Sequence, residues 1–382
     1  MQTQFNMVAK TLTGLEPILA DELRVLGAAD VRPLNRIVLF KGDRRVLYAA
    51  NFHCRTAIRI LVRVKKFNVT DEKHLYDEVK RVDWSTHLDK DGTLAIDPVV
   101  TNSTFTHSQY VAQLAKDAIV DQFRENTGVR PSVDLNDPDL RLNFHMNRNI
   151  ATIYLDASGD SLHKRGYRTV TNIAPVNEVL AAGIIQLTGW DRKSPFVDGM
   201  CGSGTFVIEA ALLARNIAPG MFRKQFGFER WKDFDSALYR QVFDEAERGE
   251  IRSVPFEIVG SDKDPNTVQV AMQNVKNAGL EDTVRIECKA FEDTNPPRGG
   301  TLVMNPPYGE RIAVQQMDEF HRMIGTVLKE RYAGYKAFIL SGSLDFVDRI
   351  GLRPHRRIRL FNGPIECRLM EYQVRRRKRR SR

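Results

Sequence analysis

Cysteines and long apolar stretches are scarce in this chain of 382 residues. Cys54, Cys201, Cys288 and Cys367 lie far apart and have no histidines at metal-ligand spacing, so the sequence predicts neither a disulfide framework nor a metal site. No apolar run approaches the roughly 18 residues of a membrane-spanning helix, and the N-terminus lacks the basic and apolar segments of a secretion signal. These absences predict a cytoplasmic protein with reduced thiols and no membrane partner.

Basic and acidic residues nearly balance outside the C-terminus. The net charge is +9, from 57 Lys and Arg against 48 Asp and Glu, but residues 375–382 alone hold seven cations. We expect these residues to form a disordered basic tail that suits RNA, because each phosphate contact releases counterions. A solvated end without a specific partner is the alternative. The candidate RNA-binding residues of the tail are Arg375, Arg376, Arg377 and Lys378.

The length predicts two or three domains, and the first 160 residues read as two small α+β units. In residues 1–65, apolar side chains at helical spacing follow Thr13, and apolar runs then predict two strands. Residues 66–160 contain a helix, a strand, a longer amphipathic helix from near Ser108 and two further strands. The predicted strands are 37–40, 58–64, 93–100, 140–145 and 151–155, and the shorter helix is 75–82.

Residues 161–374 read as one α/β domain. Apolar strands alternate there with helices of ten or more residues, which predicts a mostly parallel sheet with helices on both faces. Asn362-Gly363 between the last two strands is a hairpin signal. A closing antiparallel hairpin fits a Rossmann-like methyltransferase sheet better than that of a dinucleotide dehydrogenase. The predicted strands are 195–197, 256–260, 284–288, 301–304, 336–340, 355–361 and 366–374.

A glycine turn follows the first strand of this domain and opens a helix. Its small residues bring backbone amides close to a ligand, and Asp198 could accept a hydrogen bond from the ligand's amino group. Such turns bind nucleotide-like cofactors, dinucleotides included. The next strand ends at Asp262, which we assign to the cofactor ribose, and Asp264 should cap the helix that follows. The candidate cofactor-binding residues of the turn are Asp198, Gly199, Met200, Cys201, Gly202, Ser203, Gly204 and Thr205.

The most specific signal is Asn305-Pro306-Pro307-Tyr308, which follows a buried strand. The prolines fix the backbone, so the Asn305 side-chain oxygen and the Pro306 carbonyl can both accept from one planar NH2 group. Two acceptors orient the amine for attack on a sulfonium methyl, while Tyr308 can stack on the ring that carries it. An ordinary proline turn is the alternative. We interpret these four residues as the catalytic set of an N-methyltransferase whose target base leaves its stack.

The chain resembles the THUMP-containing class I RNA methyltransferases that depend on S-adenosylmethionine, in particular the N-terminal methyltransferase half of the large bacterial 23S rRNA guanine-N2-methyltransferase. The likeness extends over nearly the whole chain. Its motifs are Gly14-Leu15-Glu16, Phe40-Lys41-Gly42-Asp43, Ser108-Gln109-Tyr110, Lys116 to Asp121, Leu162 to Arg168, Ala174-Pro175, the glycine turn and Asn305 to Arg311.

The resemblance implies a ferredoxin-like unit at 1–65 and a THUMP domain at 66–160 that grip RNA, ahead of a catalytic domain at 161–374. It implies S-adenosylmethionine as cofactor, and Lys263, Ala290 and Phe291 as further cofactor contacts. Arg165 and Arg168 would face RNA or lock the domain interface. The expected reaction is methylation of a guanine N2 amine in 23S rRNA or its precursor.

The chain departs from the family pattern in two places, and several alternative functions remain. Relatives often place an aspartate after the third strand, where this chain has Lys289-Ala290-Phe291, so the adenine contact must come from elsewhere, such as Glu292 or backbone. A second methyltransferase domain is not expected. The alternatives are tRNA guanine-N2 methylation, DNA-adenine or protein-glutamine methylation, which share the Asn-Pro-Pro-Tyr motif, and an RNA-binding assembly protein without essential catalysis.

Overall fold

The structure is a computed structural model that describes residues 4–103, 105, 107–168, 175–307, 314–342 and 349–375. These residues form two compact units. The first contains the N-terminal residues up to Lys10, Ala20–Leu162 and Arg223–Phe243. The second contains Thr11–Leu19, His163–Phe222 and the chain from Asp244 onward.

The first unit is built on one mixed sheet of eight strands. The strands are β1 (Phe5–Lys10), β2 (Ala29–Leu34), β3 (Ile37–Gly42), β4 (Arg59–Asn68), β5 (Thr93–Thr101), β6 (Ser132–Val133), β7 (Leu140–Asn147) and β8 (Ile150–Asp156). Their order is β2-β3-β1-β4-β8-β7-β5-β6. The helices in this part of the chain are α1 (Glu16–Val25), α2 (Arg44–His53), α3 (Glu72–Lys80) and α4 (Ser108–Thr127).

Strand β4 lies at the middle of this sheet and joins its two halves. It pairs with β1 on one side and with β8 on the other, and it runs without interruption through the boundary that the sequence predicted at residues 65/66. The predicted strands and helices of this region are present, whereas α2, β1, β2 and the two-residue strand β6 were not predicted. Helix α2 has seven consecutive buried residues, Val46–Phe52. Its sequence therefore lacks the alternation of apolar and polar faces by which a surface helix is recognised.

Residues 223–243 lie in the first unit, although they follow the glycine turn in sequence. Phe226 and Phe228 are buried and stacked, with ring centroids 5.2 Å apart, and Phe228 stacks on Tyr48 at 4.5 Å. Arg223 donates to the backbone carbonyl of Asp160 at 2.9 Å, and Lys232 pairs with Asp89. Phe226 and Phe228 therefore belong to the core of the first unit.

The second unit contains a seven-stranded sheet in the order β11-β10-β9-β12-β13-β15-β14. The strands are β9 (Phe196–Asp198), β10 (Ile258–Asp262), β11 (Val284–Cys288), β12 (Gly300–Met304), β13 (Tyr335–Ser341), β14 (Arg356–Asn362) and β15 (Ile365–Gln373). The helices of this part of the chain are α5 (Glu178–Leu187), α6 (Thr205–Ala214), α7 (Ser236–Arg248), α8 (Pro265–Asn277) and α9 (Val314–Arg331).

Strands β9 to β13 pair in parallel, and β14 and β15 close the sheet as an antiparallel hairpin. This confirms the predicted Rossmann-like sheet, and all seven strands lie within two residues of their predicted bounds. The hairpin turn is displaced by one residue: Asn362 still pairs with Ile365, so Gly363 and Pro364 form the turn. Gly363 has a φ of 61°, a left-handed backbone conformation that glycine adopts more readily than other residues. None of the helices formed by the described residues is long and apolar enough to cross a bilayer.

Candidate active site

The candidate residues gather at one edge of the second unit's sheet. Asp198 ends β9, Asp262 ends β10, and Asn305 directly follows β12. Because these neighbouring strands are parallel, their carboxyl ends lie at the same edge. The chain leaves β9 toward β10 on one side and returns to β12 on the other, which makes this edge the topological switch point where α/β sheets bind ligands.

Hydrogen bonds fix the glycine turn against β10. The backbone N–H of Cys201 donates to the carbonyl of Ser261 at 2.8 Å, and the N–H of Gly204 donates to Cys201 at 2.9 Å. Gly202 and Gly204 have φ values of 52° and 85°, a region that side chains disfavour. Gly204 is the N-cap of α6, so the turn delivers the chain directly to a helix N-terminus, the usual setting for an anionic or polar ligand group.

Asp198 is a buried carboxyl at the centre of this edge. It accepts a hydrogen bond from the N–H of Met200 at 3.1 Å, and only 1% of the residue is exposed. Burial, with a smaller contribution from the nearby Asp262 charge, raises the pKa of Asp198 to about 8. A cationic amino group bound beside Asp198 would favour its ionised form. The carboxyl is therefore suited to an ammonium group.

Asp262 is held by two backbone N–H groups. Gly202 donates to one carboxylate oxygen and Asp264 to the other, each at 3.1 Å. Asp264 instead accepts from Asn266 and Thr267 in the first turn of α8, which confirms its predicted capping role. Asp262 thus contacts the glycine turn directly. The neighbouring Lys263 is exposed.

Phe291 closes the space beside the turn. A Cβ atom at Gly199 would lie 2.4 Å from the Phe291 ring, so a larger residue here would require the ring to shift. The ring is buried and stacks on Tyr332 at a centroid distance of 5.3 Å, whereas Ala290 is half-exposed. Phe291 therefore shapes the floor of the edge, which is compatible with its predicted place beside the cofactor.

Asn305 carries the clearest sign of a missing partner. Its side-chain oxygen is buried and accepts no hydrogen bond from any residue that the structure describes. A buried acceptor without a partner costs about 1–3 kcal/mol, so such an atom calls for an explanation. Pro306 is buried and Pro307 is half-buried. Tyr308, the fourth predicted catalytic residue, lies outside the described residues, as do Arg376, Arg377 and Lys378 of the tail.

Two predicted RNA-binding residues have other surroundings. Arg165 is only 2% exposed, and its Nε lies 3.4 Å from the buried carboxylate of Glu209. Arg168 pairs with Glu178 at 3.4 Å and donates to the Thr205 hydroxyl at 2.6 Å. A guanidinium buried against a carboxylate is not available to phosphates, so the structure does not support RNA contact by Arg165. Arg168 supports the first residue of α6 instead, while Arg375 is exposed.

Asn274 of α8 was missed by the sequence analysis. Its side-chain amide donates to the carbonyl of Ser203 at 3.0 Å and thereby supports the glycine turn from the adjacent helix. The residue is 1% exposed. A buried asparagine within an amphipathic helix is the signal that could have identified it, because such a side chain needs a buried partner.

The sheet order, the glycine turn and the Asn-Pro-Pro segment at one edge define a class I, S-adenosylmethionine-dependent methyltransferase domain. Residues 165–371 match the family model described as RMKL-like, methyltransferase domain. Residues 69–156 match the THUMP domain, and residues 6–61 match the RlmL ferredoxin-like domain. The chain therefore belongs to the family of proteins with an RMKL-like methyltransferase domain, which confirms the resemblance found in the sequence.

Individual relatives agree with this assignment. Ribosomal RNA large subunit methyltransferase K/L of Methylococcus capsulatus is 42% identical over 371 residues, which cover 94% of this chain and 50% of that protein. The Synechocystis protein slr0064, named as an RNA methyltransferase candidate, is 39% identical to this chain, and the match covers 96% of both chains. SMU.472, described as a methyltransferase candidate, has a crystal structure in complex with SAH. Its sequence is 32% identical to this chain, the TM-score is 0.90, and the match covers 99% of this chain and 100% of SMU.472. The chain spans about half the length of the curated rRNA relatives that it matches.

Proposed function

We propose that this chain transfers a methyl group from S-adenosylmethionine to the exocyclic N2 amine of a guanine in 23S rRNA or its precursor. The observation that carries the proposal is the buried side-chain oxygen of Asn305, which has no hydrogen-bond partner among the described residues and lies at the edge where the candidate cofactor residues meet. An exocyclic amine offers the N–H donor that this oxygen lacks. The rRNA part of the proposal is supported by the names of the relatives.

The residues of this edge fit the cofactor's polar groups. Asp198 would accept from its amino group, Asp262 from its ribose hydroxyls, and the glycine turn would face its amino-acid end, with Lys263, Ala290 and Phe291 alongside. S-adenosylmethionine supplies the electrophilic methyl group on its sulfonium.

The target amine would be oriented by two acceptors. The Asn305 side-chain oxygen and the Pro306 carbonyl accept one N–H each, which aims the nitrogen lone pair at the methyl carbon. The new N–C bond forms as the S–C bond breaks, S-adenosylhomocysteine departs, and one amine proton passes to water. Tyr308 would stack on the extruded guanine.

The N-terminal region would make most of the contacts with the RNA. We propose that its ferredoxin-like and THUMP domains hold the RNA, that the domain limits are 65/66, 160/161 and 374/375, and that the protein acts in the cytoplasm. The exposed Arg375 and the rest of the basic tail would add phosphate contacts.

The proposal is tested by Asn305→Ala. We expect methyl transfer to fall by about a hundredfold or more, because the amine loses a positioning acceptor, while RNA and cofactor affinities stay within about twofold. Arg285→Gln is the control variant. It changes a residue of the edge strand β11, outside the candidate site, and should keep the activity of the wild type. If the Asn305 variant retained full transfer, the catalytic assignment would be wrong. An RNA-binding assembly protein without catalysis would bind RNA but give no methyl transfer even as the wild type.

A further inference from the structure

A group of arginines lies on the closing hairpin of the second unit's sheet. Arg359 of β14 is directly opposite Arg368 of β15, and Arg357 lies two residues before Arg359 on the same face of β14. Phe361 continues this face, and its ring centre is 5.3 Å from the Arg359 guanidinium. We call these four residues the hairpin cluster.

The strand register brings the hairpin cluster to the edge that carries Asn305. Arg368 is opposite Ser341, the last residue of β13. Met304, the last residue of β12, is opposite Ile339, so Asn305 lies one row before Ser341 along the sheet. Strands are spaced by about 4.8 Å, which places Arg368 roughly 10 Å and Arg359 roughly 14 Å sideways from Asn305 at nearly the same level.

The charges of the cluster are not explained by the stability of the fold. Like charges directly opposite each other in a sheet are destabilising. Arg359 pairs with Glu366 at 2.7 Å, but the two side chains are 66% and 41% exposed, and such a surface pair contributes little. Among the residues that the structure describes, Glu366 is the one carboxylate on this face of the hairpin beside three guanidinium groups, so these described side chains carry a net positive charge.

Protection of an edge strand is the alternative explanation for such cations. It does not account for Arg368, because β15 is an inner strand that pairs on both sides. The backbone near Gly14 also approaches β14 already, since a Cβ atom at Gly14 would lie 3.1 Å from the carbonyl oxygen of Arg359. An anionic partner at the active-site edge explains both the position and the sign of the cluster.

We propose that Arg357, Arg359, Arg368 and Phe361 bind the RNA nucleotides that flank the target base. The guanidinium groups would contact the phosphates beside the flipped nucleotide, and the planar pair of Arg359 and Phe361 would stack on an unpaired neighbouring base. This inference rests on the proposed function. It assigns substrate positioning to the catalytic domain itself, beside the active site.

The test uses the double variant Arg359→Gln/Arg368→Gln in the full chain, with steady-state methyl transfer measured against RNA concentration. We expect the KM for RNA to rise about tenfold, while the affinity for S-adenosylhomocysteine is unchanged. The slope of log affinity for RNA against log salt should fall by about 1.4, because each phosphate contact with a single strand contributes about 0.7. Arg285→Gln, a single exposed arginine on the far edge strand, should change the slope by less than half of that amount.

The outcomes separate this inference from the proposed function. If the wild-type chain methylates RNA but the double variant has an unchanged KM and salt slope, the hairpin cluster is not an RNA site. If the wild type methylates no RNA, the proposed function fails, and the inference fails with it. Arg359→Lys/Arg368→Lys keeps the charge: a restored salt slope supports phosphate contact, and a KM that stays raised supports stacking by the planar group.

Discussion

Gly202 donates its backbone N–H to the side chain of Asp262 at 3.1 Å, so the turn after β9 and the carboxylate after β10 form one hydrogen-bonded unit. Gly202 lies in the turn after β9 and Asp262 is the last residue of the adjacent parallel strand β10, so the contact links the two parts of the edge that we propose to hold the cofactor. A substitution of either residue should therefore alter the position of the other.

Asp262→Ala should lower the affinity for S-adenosylhomocysteine at least tenfold. The change removes both the proposed ribose acceptor and the group that fixes the N–H of Gly202. Isothermal titration calorimetry measures this directly. Asp264→Ala is the matched control: it removes the cap of α8 and costs about 1 kcal/mol of folding stability, but cofactor affinity should stay within twofold. Equal loss of affinity in both variants would contradict the assignment of the two carboxylates.

Asp198 should release a proton when the cofactor product binds near pH 7. Its pKa of about 8 keeps the carboxyl protonated in the free protein, and an ammonium partner favours the ionised form. Titrations in two buffers with different ionisation enthalpies count the released proton. The Asp198→Asn variant should release none. The absence of proton release from the wild type would show that Asp198 does not bind the amino group.

The same carboxyl predicts an unusual stability effect. The folded protein keeps this proton up to about pH 8, whereas an unfolded aspartate ionises near pH 4, so this group makes stability fall as the pH rises between the two values. Asp198→Asn should therefore raise the melting temperature of the cofactor-free protein at pH 8 and have little effect at pH 4. A lower melting temperature at both pH values would show that the carboxylate stabilises the fold.

Gly199→Ala should destabilise the domain and weaken cofactor binding, because the new methyl group would lie 2.4 Å from the Phe291 ring. We expect a loss of roughly 1–3 kcal/mol in the free energy of unfolding. Phe291→Leu in the same chain frees space and should restore part of this loss. A double-mutant cycle by urea denaturation measures the coupling, and additive effects would show that the two residues do not compete for space.

Arg165→Met tests the corrected role of this arginine. It leaves the buried Glu209 without its cationic partner and should cost about 3–5 kcal/mol of stability, as removal of one member of a buried ion pair does. At a temperature where the variant is folded, the salt dependence of RNA binding should match that of the wild type. A reduced salt slope with unchanged stability would restore the RNA-binding interpretation.

The sequence predicted the catalytic domain well because its inner parallel strands β9, β10, β12 and β13 are largely buried on both faces and the glycine and proline segments restrict the backbone locally. It failed where burial depends on distant partners. Arg165 lies 44 residues from Glu209 in the sequence, and Phe228 stacks on Tyr48, which comes much earlier in the chain. No local pattern reveals such contacts. The hairpin cluster was missed for the same reason, because the register alone brings Arg359 and Arg368 together.

The most direct test of the account is methyl transfer from labelled S-adenosylmethionine to RNA from cells that lack this gene, followed by nucleoside mass spectrometry. Separated 23S rRNA, its precursor particles and tRNA are offered in parallel. The account predicts N2-methylguanosine in large-subunit rRNA or its precursor, and loss of this product with Asn305→Ala. Product found only in tRNA, or a methylated nucleoside other than N2-methylguanosine, would contradict it.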